Sequence, residues 1–408
     1  MFTRRLFASQ PRLLQRTRRF WDINSSKSVQ LSDDGKIDEI RSVVDSNPQV
    51  HLNLPFVGRT LLNHKLVSLS RAFMLPVGFP ETVTPSYIHY VQYTFIQVTL
   101  NNINRILATQ SMLLSVGVGV SGLPIAAAIN WVLKDGIGQL GSVFVSALIN
   151  KDFDADPKRY RFQAVALGQL SNLFGILSLS NPAAFLFLTS LGSTLSRIGT
   201  VAHLSSRVRI YENFSCNGNV ADIMRSSQAQ STAAALVGTA VGIALSPWVL
   251  TSPPSIFGVF ALVAIAAQYA AYRSSSVVCL KTFNLQRAEL VFNQFSETGR
   301  ILSPEEVASM ESFVFPYQSL IRVNPAMTVE LLAAVDELKR QKFHVLKTDR
   351  KINIWIEEGA SPEDTIRAVF EACTVRQDWL TLKIALGAKG WQFSVAFIDD
   401  PFKRIRIL

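Results

Sequence analysis

The chain is poor in charge. Asp, Glu, Lys and Arg make up only 17% of its 408 residues, while 48% are hydrophobic; an ordinary soluble domain carries about 25% charge. Cysteine is scarce too. Cys216, Cys279 and Cys373 lie far apart without a CxxC, and His51, His64, His89, His203 and His344 are equally scattered. Neither a disulfide framework nor a metal-ligand spacing is present. Motifs that announce chemistry are missing as well: no G-x-S-x-G, no G-x-G-x-x-G, no Walker A and no H-E-x-x-H. The residues therefore point to no enzyme, no cofactor and no metal. There is no Lys/Arg run interleaved with aromatics of the kind a nucleic-acid surface needs, so nucleic acid is not an expected partner.

What remains is a pattern of where charge stops. No ionic residue lies between Arg105 and Lys134, between Arg161 and Arg197, or between Arg225 and Arg273, gaps of 28, 35 and 47 residues. About 20 mostly apolar residues suffice for a helix to cross a bilayer. Ser180-Asn181-Pro182 divides the second gap into helices expected at 162–179 and 183–196. Ser246-Pro247 and Thr251-Ser252-Pro253-Pro254 divide the third into 228–250 and 255–272. A shorter piece, Ile137–Ile149, spans only about 20 Å as a helix. It forms an expected out-and-back pair with 106–133. Small residues such as Gly117, Gly238 and Gly242 suit close packing of membrane helices. The fold class expected is mainly α: a multi-pass α-helical membrane bundle with a small C-terminal α+β domain. The competing reading is a large buried helical core in a soluble protein.

The net charge of +10 is concentrated at the start. Residues 1–21 hold Arg4, Arg5, Arg12, Arg16, Arg18 and Arg19, no acid before Trp21, and interspersed Phe and Leu. This is the pattern of an organellar targeting presequence, assigned to the mitochondrion with the plastid as alternative. Residues 22–68 read as a poorly structured or peripheral segment with a turn at Asp33-Asp34-Gly35, 69–280 as the helical membrane domain, and 281–408 as the C-terminal domain. Within 69–280, a proline-framed stretch, Leu75–Glu81, leads to Thr84-Pro85, read as an N-cap with proline at N1. The helix it opens is expected at the membrane interface. The loops 150–161 and 197–225 carry a basic excess, which places every well-charged segment on one side of the membrane, in matrix or stroma.

Two groups of polar residues are site candidates. Lys134, Asp135 and Gly136, with Gln230, form a candidate polar membrane site; the other reading of the first three is a short charged loop at the far membrane face. Asp154, Asp156, Lys158 and Arg161, with Asn219 and Asp222, form a candidate loop or partner site. The D-x-D spacing of Asp154 and Asp156 lacks the glycine and distal glutamate of a calcium loop, and Asp156-Pro157 reads as a helix start. In the C-terminal domain, Ser303-Pro304-Glu305-Glu306 is a capping box and Ser361-Pro362-Glu363-Asp364 a close variant. Helices are expected at 326–340 and 362–386, the latter broken near Arg376–Asp378. Strands are expected at Phe343–Leu346, Ile352–Ile356, Trp391–Ile398 and Arg404–Leu408.

Several segments together resemble the root UVB-sensitive family. They are Leu75–Pro80 with Tyr87 and Tyr90, Ala108-Thr109-Gln110, Trp131–Gly136 with Gly138 and Gly141, Asp154–Lys158 with Arg161, Asn219–Asp222 with Gln230 and Thr232, and Tyr272-Arg273 with Thr282, Asn284, Gln286 and Arg287. The resemblance covers about residues 68–290. It implies a non-enzymatic membrane-associated protein, linked in plants to ultraviolet-B response, auxin distribution and vitamin B6 homeostasis, acting partly through association between members. No catalytic residue carries over. Val165 and Gln169 stand where the family places acids, and Ser226 where it has a lysine, so an ion-pair or phosphate-binding role at those positions does not transfer. Two functional readings follow. One is a protein that moves, or controls access to, a small organellar metabolite. The other is a membrane scaffold whose C-terminal domain binds a partner. The partners expected are membrane lipid and a homo- or hetero-oligomer with a related family member.

Overall fold

The computed structural model describes residues 19–21, 28–31, 37–39, 73–116, 124–149, 153–325, 342–347, 351–374, 378–400 and 403–405. The chain divides into two compact units, Met1–Asn63 and His64–Leu408. The first contains an antiparallel meander of three short strands, β1 (Arg19–Trp21), β2 (Ser28–Leu31) and β3 (Ile37–Glu39). The segment expected to be poorly structured therefore holds two strands, and the turn expected at Asp33–Gly35 lies outside the described residues. The rest of the expected presequence lies outside the described residues.

The second unit opens with six long helices, the first packing on the third, fifth and sixth and the second on the fourth. They are α1 (Tyr87–Ser115), α2 (Pro124–Ile149), α3 (Pro157–Ser180), α4 (Phe185–Phe214), α5 (Val220–Val249) and α6 (Pro253–Ser276). A 3-10 turn, Pro182–Ala184, closes the α3–α4 pair where Asn181-Pro182 forbids a continuous helix. Three helices, α3, α5 and α6, are long and apolar enough to cross a membrane. Only 33, 28 and 28% of their apolar windows are buried. Leu236, Trp248, Leu262 and Ile265 point outward, each roughly seven-tenths exposed. A soluble helical core would hide such residues; here they form the surface, and lipid is the solvent that suits them. The protein is a mainly α-helical membrane protein with a small mixed sheet in its C-terminal region.

Several boundaries differ from expectation. The expected out-and-back pair of 106–133 with 136–149 is replaced by helices 87–115 and 124–149, which rest on other helices of the bundle, because the helix opened by the proline-framed stretch runs on into the apolar tract. It starts at Tyr87 rather than at Pro85: the residue before it is Ser86, and Thr84 supplies the carbonyl that accepts from the Tyr87 N–H. Lys134-Asp135-Gly136 lies inside the continuous helix α2 and is neither a turn nor a loop. Helix α4 continues through Arg197, Arg207 and Arg209 to Phe214, and α5 starts at Val220 rather than at 228, keeping Pro247 within it.

The helices meet where side chains are smallest. A Cβ on Gly238 of α5 would collide with the Thr99 carbonyl oxygen of α1, and one on Gly192 of α4 would lie 3.0 Å from the Ser171 carbonyl oxygen of α3. Such contacts allow backbones to touch where lipid supplies little drive for association. The inner face holds Ile103, Leu107, Ile176, Ile256 and Phe260.

The C-terminal region has its own core around Phe283, Phe292, Ile354, Val369, Phe370 and Trp391. It comprises β4 (Thr282–Asn284), α7 (Leu285–Thr298), α8 (Pro304–Met310), β5 (Ile321–Val323), β6 (Phe343–Lys347), β7 (Ile352–Ile356), α9 (Pro362–Cys373), α10 (Trp379–Ala388) and β8 (Gln392–Phe397). Strand order is β5-β7-β6, with β5 parallel and β6 antiparallel to β7; β4 and β8 pair in parallel. Both expected capping boxes form, at Ser303/Glu306 and Ser361/Asp364. The break expected in 362–386 separates α9 from α10. Of Arg404–Leu408, Ile405 makes a single parallel bridge to Glu357 rather than a strand. The helix expected at 326–340 lies outside the described residues.

Candidate functional site

At the charged end of the bundle three of the predicted loop residues, Asp154, Asp156 and Lys158, meet the C-terminal region. Asp156 precedes α3 and Pro157 takes its first position, as the sequence requires. The Asp156 carboxylate accepts from Asn284 Nδ2 at 2.6 Å and pairs with Arg159 at 3.1 Å. Burial pushes its pKa up, against the pull of Arg159 and Arg287. Two residues on, Lys158 is fully buried, with Nζ 2.7 Å from one oxygen of Glu311; the other oxygen accepts from Arg287 Nη1 at 2.7 Å. Arg287 is oriented in turn by the Thr282 carbonyl, 2.7 Å from Nε. Burial alone would raise the Glu311 carboxyl, but the Arg287 and Lys158 charges prevail and hold it below its ordinary range. This cluster locks bundle and C-terminal region together through ionic groups withdrawn from water.

Asp154 takes a different partner, Arg209 of α4, at 3.0 Å. Arg209 also pairs with Glu212 and lies over the Phe397 ring of β8. Together they line a cavity of about 240 Å³ between the bundle and the β4–β8 pair. Asp154 and Asp156 therefore face different cations. Among the described residues no group of three or more His, Cys, Asp or Glu side chains is placed to hold a metal.

Arg161 stands one turn deeper on α3, fully buried, and every partner it has is neutral. Nη2 donates to Thr94 Oγ1 at 2.9 Å and Ser274 Oγ at 3.3 Å, Nη1 lies 3.5 Å from His203 Nδ1, and the guanidinium sits over the Tyr90 ring at 4.8 Å. Among the described residues Nε finds no hydrogen-bond partner, nor does the nearby Tyr90 hydroxyl. No acid faces this charge among the described residues. Below it the polar lining continues between α1, α3 and α6. Gln169 donates to Asn101, and Asn104 donates to Gln169 at 2.8 Å and to the Phe260 carbonyl at 3.3 Å. Gln97 is also buried here.

The remaining candidates secure the bundle's edge. Asn219 precedes α5, and its oxygen accepts from Ser215 Oγ at 2.7 Å. Asp222 accepts from the Val77 N–H and pairs with Arg225. Gln230 donates to the Met74 carbonyl and, at 3.4 Å, to the Tyr87 hydroxyl. Asp222, Arg225 and Gln230 fasten the Phe73–Val77 stretch to α5, while Asn219 ties the turn between α4 and α5. Lys134 and Asp135 pair with one another at 2.7 Å, with Lys134 over the Trp131 ring and Asp135 3.5 Å from Ser193 of α4. Gly136 faces open space, whereas Gly138 lies against Ser193. The four residues read as one membrane site thus divide between two helix contacts, and among the described residues no hydrogen bond or ion pair joins Gln230 to Lys134 or Asp135.

Sequence reasoning missed Glu311, whose partner Lys158 is remote in the chain and whose own neighbourhood has no periodic signal. Arg161 did carry one. Pro157, Lys158, Ala164 and Val165 occupy its i±3 and i±4 positions, so no helical ion pair is available to it.

Residues 61–299 match the family model described as the vitamin B6 photo-protection and homoeostasis domain. The chain belongs to the root UVB-sensitive family. Similar members include Protein root UVB sensitive 3 of Arabidopsis thaliana, 26% identical over 332 residues, covering 76% of this chain and 75% of the relative. Protein root UVB sensitive 2, chloroplastic, of the same plant is 28% identical over 311 residues, 74% and 71% of the two chains. RUS family member 1 of Dictyostelium discoideum is 30% identical over 259 residues, 62% of this chain and 49% of the relative. No solved structure matches. The family match ends at Gly299, just past α7, so it includes Lys158, Arg161 and Arg287 but stops short of Glu311.

Proposed function

We propose that this root UVB-sensitive protein is a non-enzymatic organellar membrane protein that supports vitamin B6-linked metabolite homeostasis by handling a small anionic metabolite at Arg161. The observation that carries the reading is the guanidinium buried among neutral partners. An uncompensated ion in a low-dielectric interior costs several kcal/mol, and arginine does not escape the cost by losing its proton. A phosphate or carboxylate supplies the missing charge, and the polar lining through Gln97, Asn101, Asn104 and Gln169 supplies neutral contacts along the bundle. Ionisable groups kept inside a membrane bundle are characteristic of substrate paths. The role that Lys134, Asp135 and Gln230 have in the sequence reading passes to Arg161, since those three have structural partners.

Arg161→Met tests this. The purified variant is expected to unfold at the same or a higher temperature, because a lone buried charge is gone, while organelles carrying it show the B6-vitamer profile of a deletion strain. A wild-type profile contradicts the reading. The membrane is that of an organelle that imports proteins with arginine-rich leaders. The leader pattern fits mitochondrion and plastid alike, the name of the chloroplastic relative favours the plastid, and import assays with both organelles decide between them.

The scaffold reading retains one specific support: Leu380 and Ile384 of α10 lie on one outward face and are about two-thirds exposed. A partner, or a second family member, docking there is lost on the double substitution Leu380→Glu/Ile384→Glu. Deleting 281–408 would not test it, because that also strands Lys158.

A further inference from the structure

The segment between α8 and β5 leaves the C-terminal region, approaches the bundle and returns. Glu311 is fixed at the level of Lys158 on α3. Two residues later Phe313 packs on Phe162, ring centroids 6.1 Å apart, and stacks on Tyr272 of α6 at 5.3 Å. From Lys158 to Phe162 is about 6 Å along the helix axis, in the direction of the charge-free stretch of α3. The chain is back in the C-terminal region at Tyr317, whose hydroxyl donates to Glu289 at 2.6 Å. Val314, Phe315 and Pro316 therefore form the tip of an excursion toward the bilayer. No charge occurs from Ser312 to Pro316, and Phe315 is 74% exposed.

The surroundings mark this level as the membrane boundary. Arg161 and Arg273 are the last ionic residues before the apolar tracts of α3 and α6. Tyr269 and Tyr272 are exposed beside them, and Arg273 lies over the Tyr93 ring at 5.2 Å. Aromatic rings with polar edges, backed by a basic residue, characterise the headgroup region.

We propose that the tip Val314-Phe315-Pro316 inserts into the lipid interface of the membrane spanned by α3 and α6, seating the C-terminal region on that leaflet. The occupant of this exposed apolar tip is lipid rather than a partner protein because its surface continues that of Tyr272, at the end of a spanning helix. The insertion fixes the height of the C-terminal region, and the Lys158–Glu311–Arg287 cluster fixes its rotation.

Nitroxide labels on F315C and, separately, P316C report the depth. The full chain is reconstituted in phospholipid nanodiscs with Cys216→Ser, the exposed thiol. Cys279 and Cys373 are partly buried, and burial pushes their thiols up to about 11 and about 12, so they react poorly. The expected result at both positions is power saturation by oxygen at least several-fold stronger than by a water-soluble nickel chelate. Stronger relaxation by nickel places the tip in water, and weak relaxation by both places it under protein; either overturns the proposal. Both positions are exposed, so the substitutions leave the fold intact. The outcome is independent of whether Arg161 binds an anion.

Discussion

At the scale of single residues, the account rests on two buried cations with opposite circumstances. Lys158 is answered by Glu311, and Arg161, among the described residues, by no acid. Removing one partner of a buried pair leaves the others uncompensated, at about 3–5 kcal/mol. Glu311→Gln is therefore expected to destabilise the protein by about that amount, because it abandons Lys158 and Arg287 together; chemical unfolding in detergent measures it. The same carboxyl predicts a pH dependence. Its folded pKa lies below the ordinary 4.5, so the folded state binds its proton less tightly than the unfolded one. Its stabilisation is complete above about pH 4.5 and is lost as pH falls through the lower, folded value. Melting temperatures between pH 3 and 6 should fall on the acid side, and Glu311→Gln should flatten that slope. Lys158 and Arg161 stood out in the sequence as members of the mixed-charge cluster just before the second charge-free tract. Their different fates did not, since Glu311 arrives from another region of the fold.

At the scale of elements, close backbone approach decides which helices pair. Gly238 illustrates it: a Cβ there meets the α1 backbone at Thr99, which cannot yield as a flexible side chain can. Gly238→Leu is expected to separate α1 from α5 at about 1–3 kcal/mol or more, seen as a lower melting temperature and reduced yield. Gly136→Leu, facing open space on α2, is expected to change neither. Both glycines were visible in the sequence, but only Gly238 was read there as a packing residue. The charge map located the helices but not their ends. It treated Arg197 and Lys134 as places where a helix must stop, yet hydrogen bonding within a helix is indifferent to charge. Helix α4 runs on past its apolar part toward the C-terminal region, carrying Arg209 to Asp154. Helix α2 tolerates Lys134 because Trp131 and Asp135 lie beside it. The capping boxes at Ser303 and Ser361 were legible in full, since each is complete within four residues.

At the scale of the whole molecule, the central claim is that α3, α5 and α6 lie in lipid with about a third of their apolar surface inside the protein. Water would have to hydrate the remainder, including Leu236, Trp248, Leu262 and Ile265, at about 25 cal/mol per Å² of apolar area. The Arg161 site, the seated C-terminal region and the helix pairing all presuppose a bilayer. Extraction of isolated organelle membranes with alkaline carbonate tests that premise directly. The account predicts that the intact chain stays in the membrane pellet and enters solution only with detergent; its release at high pH as a monodisperse soluble protein would contradict it.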